Sequence, residues 1–137
     1  MTNAQAGREM LLKCQDTTNN FLTVAGLRSR HLGLNAASVD ITSAESAGRW
    51  RELLAGAGVR RLSLSGNGIF RTEATHDLVR QLFFDSAIRP WQIVIPHFGI
   101  IQAPFLIASL DYRGDHDAAI MFDIALESAG EPAFTSL

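Results

Sequence analysis

Four histidines and one cysteine are the side chains of this sequence best suited to metal binding or to nucleophilic chemistry. The histidines are His31, His76, His97 and His116. They stand in different predicted segments, with no HExxH or Cys–His spacing, so a metal site would have to be assembled from distant parts of the chain. Cys14 lies in an apolar run, which favours a small buried side chain over a reactive thiol. We therefore expect no metal ligands and no disulfide.

The sequence also lacks the serine and glycine motifs of hydrolases and nucleotide-binding proteins. Ser65 precedes Gly66-Asn67-Gly68, but there is no G-x-S-x-G elbow to expose a serine nucleophile. The glycine pair lacks the third glycine of a dinucleotide-binding loop, and no phosphate-binding GxxxxGK[ST] loop occurs. Arg113-Gly114-Asp115 and the acids beside His116 are typical of a hairpin turn. The sequence therefore predicts no catalytic residue and no cofactor.

The composition predicts one folded domain over residues 1–137, with 47% hydrophobic and 19% charged residues. A net charge of −2 argues against a surface that grips nucleic acid or anionic lipid, because such surfaces need an excess of cations. No stretch approaches the roughly 20 apolar residues of a membrane-spanning helix, and the N-terminal residues carry no signal pattern. We expect no membrane partner and no secretory export.

Alternation of apolar and polar residues predicts a mainly β protein with antiparallel strands. The strongest pattern lies at 119–127, where the buried face carries Ile120, Phe122, Ile124 and Leu126. The opposite face carries Met121, Asp123, Ala125 and Glu127. Two more such strands complete an antiparallel run, with apolar faces formed by Trp91, Ile93 and Ile95 and by Leu106, Ala108, Leu110 and Tyr112.

Further strands are predicted over 8–15 and 21–25, which form an opening hairpin, and over 27–35 and 59–70. Within the last of these, Gly66 and Gly68 indicate a bulge or a close approach of another backbone segment.

One helix is predicted over 72–86, lying on the sheet. Thr72 or Thr75 can act as its N-cap, and the acids of the first turn suit a helix start. Its apolar face carries Ala74, Leu78, Val79, Leu82 and Phe83.

The segment 36–58 has small residues and no strong period, which inside a compact domain is typical of a functional loop or arm. At its centre Trp50 stands between Arg49 and Arg51, and tryptophan and arginine are the residue types most enriched at binding hot spots. Trp50 packed against its own domain is the alternative.

The charges are unevenly distributed along the chain. Residues 49–89 contain seven arginines against four acids, whereas 111–131 contain six acids against Arg113 alone. Opposite patches of neighbouring copies would attract each other, so Arg49, Arg51, Arg60 and Arg61 would meet the acids of the next copy. The alternative is a set of solvated faces that meet no partner.

The segment 39–59, centred on Arg49-Trp50-Arg51-Glu52-Leu53-Leu54, resembles the long-loop signature of the major tail proteins of long, non-contractile phage tails. The similarity is greatest to the tail tube proteins of gene transfer agents. It continues through 65–70, the predicted helix, 91–98, 114–116 and 126–130. The end of the chain, 131–134, departs from the apolar, strand-like finish of the family, which leaves the pairing of the last residues open.

This resemblance implies an antiparallel β-sandwich or barrel of the phage tail tube type, with one flanking helix and a long arm. It implies a structural protein without catalysis or cofactor, whose hexameric rings stack into the tube that conducts DNA from the particle to the recipient cell. The partners would be further copies and other tail proteins (tape measure, tail terminator and baseplate), while DNA passes without specific binding. The location would be the tail of a phage-like particle assembled in the bacterial cytoplasm.

On this reading the arm reaches an adjacent subunit, and strands of adjacent subunits continue one another around the lumen. The predicted subunit interface comprises Arg49, Trp50, Arg51, Leu53, Leu54, Arg60 and Arg61. Asp123 and Glu127 would face the lumen or a neighbouring subunit. Two alternatives are the tube protein of a contractile tail or secretion apparatus, which shares the fold, and a small ligand-binding or hydrolytic β-barrel.

Overall fold

A computed structural model describes residues 4–137, and within this range it contains eight β-strands, one α-helix and two 3-10 turns. The strands are β1 (Leu11–Gln15), β2 (Phe21–Thr23), β3 (Leu27–Ala36), β4 (Arg60–Ile69), β5 (Arg89–Ile95), β6 (Gly99–Arg113), β7 (Met121–Ser128) and β8 (Ala133–Ser136). The helix α1 spans Ala74–Phe84, and the 3-10 turns span Gly7–Glu9 and Ala47–Arg49. The prediction of a mainly β protein with one helix is confirmed.

The described strands form one antiparallel sheet in the order β2-β1-β5-β6-β7-β4-β3, with β8 also paired to β6. The long strand β6 connects two layers: its residues 99–105 pair with β5 and β8, and its residues 105–113 pair with β7. Trp91 of the first layer and Leu64 and Phe122 of the second belong to the same apolar core. The sheet therefore folds over on itself as a sandwich, and the last residues, whose pairing the sequence left open, lie beside β6.

A bulge in β6 overturns the predicted face of this strand. The prediction that Leu106 and Ala108 lie on the buried face is wrong, because both are exposed while Ile107 is buried. The register with β7 shifts by one residue between Ile107 and Ser109, so that Leu110 turns toward the core again. An extra residue in one strand reverses the alternation beyond it, and this reversal requires knowledge of the pairing.

Strand β7 has the predicted buried face at three of its four positions. Phe122, Ile124 and Leu126 are buried in the core, but Ile120 is 47% exposed, so its assignment to the core is wrong. The pairing with β4 begins at Met121, and the carbonyl of Ile120 accepts a hydrogen bond from the Phe70 N–H at 2.7 Å. Ile120 therefore ends a turn beyond the edge of the core, where no second layer covers it.

Helix α1 is shorter than the predicted 72–86 and is rotated relative to the predicted face. Neither Thr72 nor Thr75 is its N-cap: Glu73 holds that position, and the hydroxyl of buried Thr75 accepts a bond from the Ala25 N–H at 3.4 Å. Ala74 and Phe83, predicted to be buried, are exposed. The buried face consists of Thr75, His76, Val79 and Leu82. Polar side chains belong to this face because they form hydrogen bonds with the backbone between β2 and β3. The pattern of apolar residues does not reveal these bonds.

The glycines of β4 confirm the predicted close approach. A Cβ at Gly68 would lie 2.1 Å from the carbonyl oxygen of Gly26, a distance that no side chain tolerates. The opposing strand β3 has a register shift between Leu27 and Ser29, so the bulge lies in β3 rather than in β4. These glycines let the two backbones meet where β3 begins.

Candidate assembly surfaces

The connection between β3 and β4, residues 37–59, forms an arm that starts one residue later than predicted. It is an irregular hairpin. The Ala37 N–H donates to Val59 O at 2.8 Å, and the Leu54 N–H donates to Val39 O at 2.8 Å. The Ile41 N–H donates to Glu52 O at 3.0 Å, and together with the Leu54–Val39 bond it forms the isolated bridge between Asp40 and Leu53. The backbone of the arm is thus held by its own hydrogen bonds rather than by the core.

The tip of the arm displays Trp50, which is 78% exposed. The preceding 3-10 turn contains Gly48 and Arg49 with φ of 61° and 60°, a left-handed conformation that reverses the chain. A Cβ at Gly48 would lie 2.9 Å from Cδ1 of Trp50, so the indole ring lies over the glycine. The Ser46 hydroxyl, buried inside the tip, accepts a bond from the Ser43 N–H at 2.9 Å. The alternative that Trp50 packs in its own domain is wrong.

The apolar side chains of the arm remain outside the core. Leu53 and Leu54 are each about half exposed, as is Ile41 beside them. Several exposed apolar side chains within one segment are typical of an interaction site. The predicted interface residues of the arm are therefore accessible to a partner.

The four predicted interface arginines are all exposed, but their surroundings differ. Arg51 Nε lies 3.7 Å from Asp40 Oδ2 within the same arm. Hydrogen bonds from the side chain and backbone of Thr42 lower the pKa of Asp40, so this carboxylate is ionised at neutral pH. No ion pair within residues 4–137 involves Arg49, Arg60 or Arg61.

A groove of 790 Å³ lies at the base of the arm, between the ends of β3 and β4 and the chain that follows β7. Its walls include Leu34, Gly58, Arg60, Arg61, Glu131 and Pro132. We call it the arm-base groove. Its two arginines are available to acidic groups of a partner, and its apolar side chains to apolar groups of the same partner.

Asp123 and Glu127 lie on the outer face of the second layer, opposite the core. Across the strand pairs, Asp123 is adjacent to Asn67 and Asp111, and Glu127 is adjacent to Ser63 and to the apolar Leu106. Ala125 between them is adjacent to Ser65 and Ser109. We call this surface the polar sheet face. The sequence does not reveal the neighbours of Asp123 and Glu127, because only the register places β4 and β6 beside β7.

The side chains with metal-binding or nucleophilic chemistry do not converge. Among residues 4–137 no three histidine, cysteine or acidic side chains are placed to hold a metal ion. His76 is buried in α1, where its Nε2–H donates to Ala25 O at 2.8 Å and its ring packs against Phe122. Burial raises the pKa of the Cys14 thiol to about 12. Both side chains serve the packing of the core.

Within residues 4–137, no helix has the combination of length and apolar character that crossing a membrane requires.

Comparison with known protein families identifies one family. Residues 4–134 match the family model for phage tail tube proteins. A search of the curated proteins finds no match.

Solved structures of tail proteins also match the chain. The chain is 47% identical to a subunit in the virion of a native gene transfer agent particle, with a TM-score of 0.91, over 97% of this chain and 100% of that one. The same identity and coverage, with a TM-score of 0.94, relate it to the tail of an empty gene transfer agent particle refined with C6 symmetry. The SPP1 tail tube shares the fold at 13% identity, with a TM-score of 0.77, over 96% of this chain and 79% of that one. The chain belongs to the phage tail tube protein family.

Proposed function

We propose that the chain is the tail tube subunit of a gene transfer agent particle, in which hexameric rings stack into a tube that conducts DNA to the recipient cell. The observation that carries this proposal is the near-complete match to the subunits of a gene transfer agent tail with C6 symmetry. The same match favours this assembly over the tube of a contractile tail or secretion apparatus, and family membership sets aside the ligand-binding or hydrolytic barrel. The role is structural rather than enzymatic, within the tail and alongside the other tail proteins.

Open sheet edges support ring formation. Within residues 4–137, β3 has no strand partner on its outer side, and neither does the part of β6 at 106–113. Long unpaired edges are an aggregation hazard, and closing a sheet into a barrel removes them. If these edges of adjacent copies meet, the second layers of the six subunits form one closed wall around a lumen, with the polar sheet face inward.

The arm supports contact between subunits. Its tryptophan and two leucines remain about half or more exposed within residues 4–137, and exposed apolar surface gains most from burial against another copy. We infer that the arm docks on an adjacent subunit through Trp50, Leu53 and Leu54, and that it is mobile in the free subunit.

The polar sheet face supports a role as the lumen wall. Asp111 and Asp123 are direct cross-strand neighbours, and like charges in this position destabilise a sheet. A lumen that conducts DNA benefits from such acids, because a cationic wall would bind the phosphate backbone and arrest it.

The test of the proposed function is electron microscopy of the purified full chain. We expect rings with six-fold symmetry that stack into hollow tubes. Rings of another symmetry, or a protein that forms no rings at any concentration tested, would contradict the proposal.

The lumen assignment has its own test, in particles that carry the Asp123→Lys subunit. We expect the subunit to fold and assemble, because the side chain lies outside the core, and we expect a several-fold loss of DNA transfer with DNA retained in the tube. Asp85→Lys is the control: it makes the same charge change at the exposed end of α1. DNA transfer by the Asp123→Lys particles equal to that of the control would remove Asp123 from the lumen.

A further inference from the structure

The arm-base groove and the turn between β6 and β7 lie at opposite ends of the second layer. Strands β4 and β7 are antiparallel, with Ser63 beside Glu127 at one end and Ile69 beside Met121 at the other. The groove is at the first end, where β4 begins, and the turn 114–120 is at the second. Since a strand rises about 3.3 Å per residue, the ten residues of β4 separate the two ends by roughly 30 Å.

The turn 114–120 presents two carboxylates that form no ion pair with an arginine or lysine of residues 4–137. Asp115 and Asp117 are exposed, and within residues 4–137 the one ion pair of this turn is between His116 Nε2 and Asp117 Oδ1 at 3.7 Å. The Ala118 N–H donates to Asp115 O at 3.2 Å, which closes the turn. Ile120 lies exposed at its base. With the exposed Arg113 at the end of β6 as its neighbouring cation, the turn still offers a net negative tip above an apolar side chain.

The arm-base groove has the complementary features. Arg60 and Arg61 line the groove with two cationic side chains that form no ion pair within residues 4–137. Glu131 contributes one acid. Leu34 adds an apolar side chain that is 68% exposed. A patch and a complementary groove at opposite ends of one molecule favour a head-to-tail contact between copies, and such a contact repeats along an axis unless its rotation closes it into a ring.

We propose that the turn 114–120 of one copy docks in the arm-base groove of the next copy along the stack. Asp115 and Asp117 then pair with Arg60 and Arg61, and Ile120 packs against Leu34. His116 faces Glu131, so the acid of the groove also gains a partner. This inference rests on the proposed function, because it requires stacked rings, and it names the contact that joins them. The occupant is a second copy because the two surfaces lie at opposite ends of the same subunit.

The contact between rings then has an electrostatic component that salt screens. The Debye length falls from about 10 Å at 0.1 M salt to about 3 Å at 1 M. Complementary charges act mainly on the rate of association, whereas apolar burial by the arm resists salt. Stacking of preformed rings should therefore slow in high salt while finished tubes persist.

The test is a charge exchange, followed by light scattering at low salt and by electron microscopy. Arg60→Glu with Arg61→Glu is one variant, Asp115→Arg with Asp117→Arg is the second, and the four changes together are the third. We expect each double variant to form rings that stack at least about tenfold more slowly than the parent. The quadruple variant should regain most of the parent stacking rate, because the pairs are re-formed with reversed charges.

A control separates local pairing from net charge. Arg60→Glu with Arg61→Glu is combined with Asp77→Arg and Asp85→Arg on exposed positions of α1 and its C-cap, which restores the same net charge away from the turn. This variant should remain slow. The turn does not dock in the groove if the stacking rate of this control recovers as well as that of the quadruple variant. The same conclusion follows if the quadruple variant stacks as slowly as the double variants. A parent that forms no stacked rings overturns the proposed function and this contact together, whereas a parent that stacks leaves only the contact in question.

Discussion

Subunits carrying Trp50→Ala are expected to fold like the parent and to form no stacked tubes. The side chain is 78% exposed in the free subunit, so its removal takes no apolar contact from the core. In an interface, an aromatic side chain buries about 150–250 Å², and truncation of a hot-spot residue costs about 2 kcal/mol or more of binding free energy. Every subunit of a tube loses this contact, so a modest loss per subunit prevents growth.

Two measurements separate folding from assembly. Circular dichroism and thermal melting of the free Trp50→Ala subunit should match the parent, while electron microscopy should show no tubes. Trp50→Phe, which keeps an aromatic ring at the tip, should retain part of the assembly. Trp91→Ala gives the opposite result, because Trp91 is fully buried and its loss should abolish the fold. An early melting transition in Trp50→Ala would show that Trp50 supports the core and would refute its role in assembly.

Ile124→Asp is expected to prevent folding altogether. Ile124 is 2% exposed at the centre of β7, with Gly66 on one neighbouring strand and Leu110 on the other. A carboxylate there would be buried without a partner, and substitutions of this kind cost more than about 4 kcal/mol. The lost packing of the isoleucine side chain adds about 2–5 kcal/mol. The sum approaches the total stability of a domain, about 5–15 kcal/mol, so little native protein should remain.

The matched control for Ile124→Asp is Ala125→Asp. It introduces the same side chain one residue further along the strand, on the polar sheet face between Ser65 and Ser109. We expect this variant to be soluble, with the circular dichroism of the parent. If both variants unfold, the assignment of Ala125 to the outer face of the sheet is wrong. If both fold, the assignment of Ile124 to the core is wrong.

The local pattern of the sequence determined the elements of the fold. Strict alternation at Phe122, Ile124 and Leu126 predicted β7, because a half-buried strand needs an apolar residue at every second position. The glycines at 66 and 68 predicted the close approach of another segment, since only a residue without Cβ fits there. The arm was predicted from its small residues and its isolated tryptophan, and the family resemblance was already visible in the same stretch.

The tertiary structure alone decided what depends on pairing between distant segments. The bulge in β6 brought Ile107 and Leu110 to the same face although three positions separate them, and the end of the sandwich left Ile120 uncovered. Neither feature changes the periodicity of the sequence, because both arise from the register with a neighbouring strand. The same register placed Asp111 beside Asp123 and separated the turn 114–120 from the arm-base groove. Alternation within a strand fixes which residues share a face, but only the neighbouring strands determine which charges meet on it.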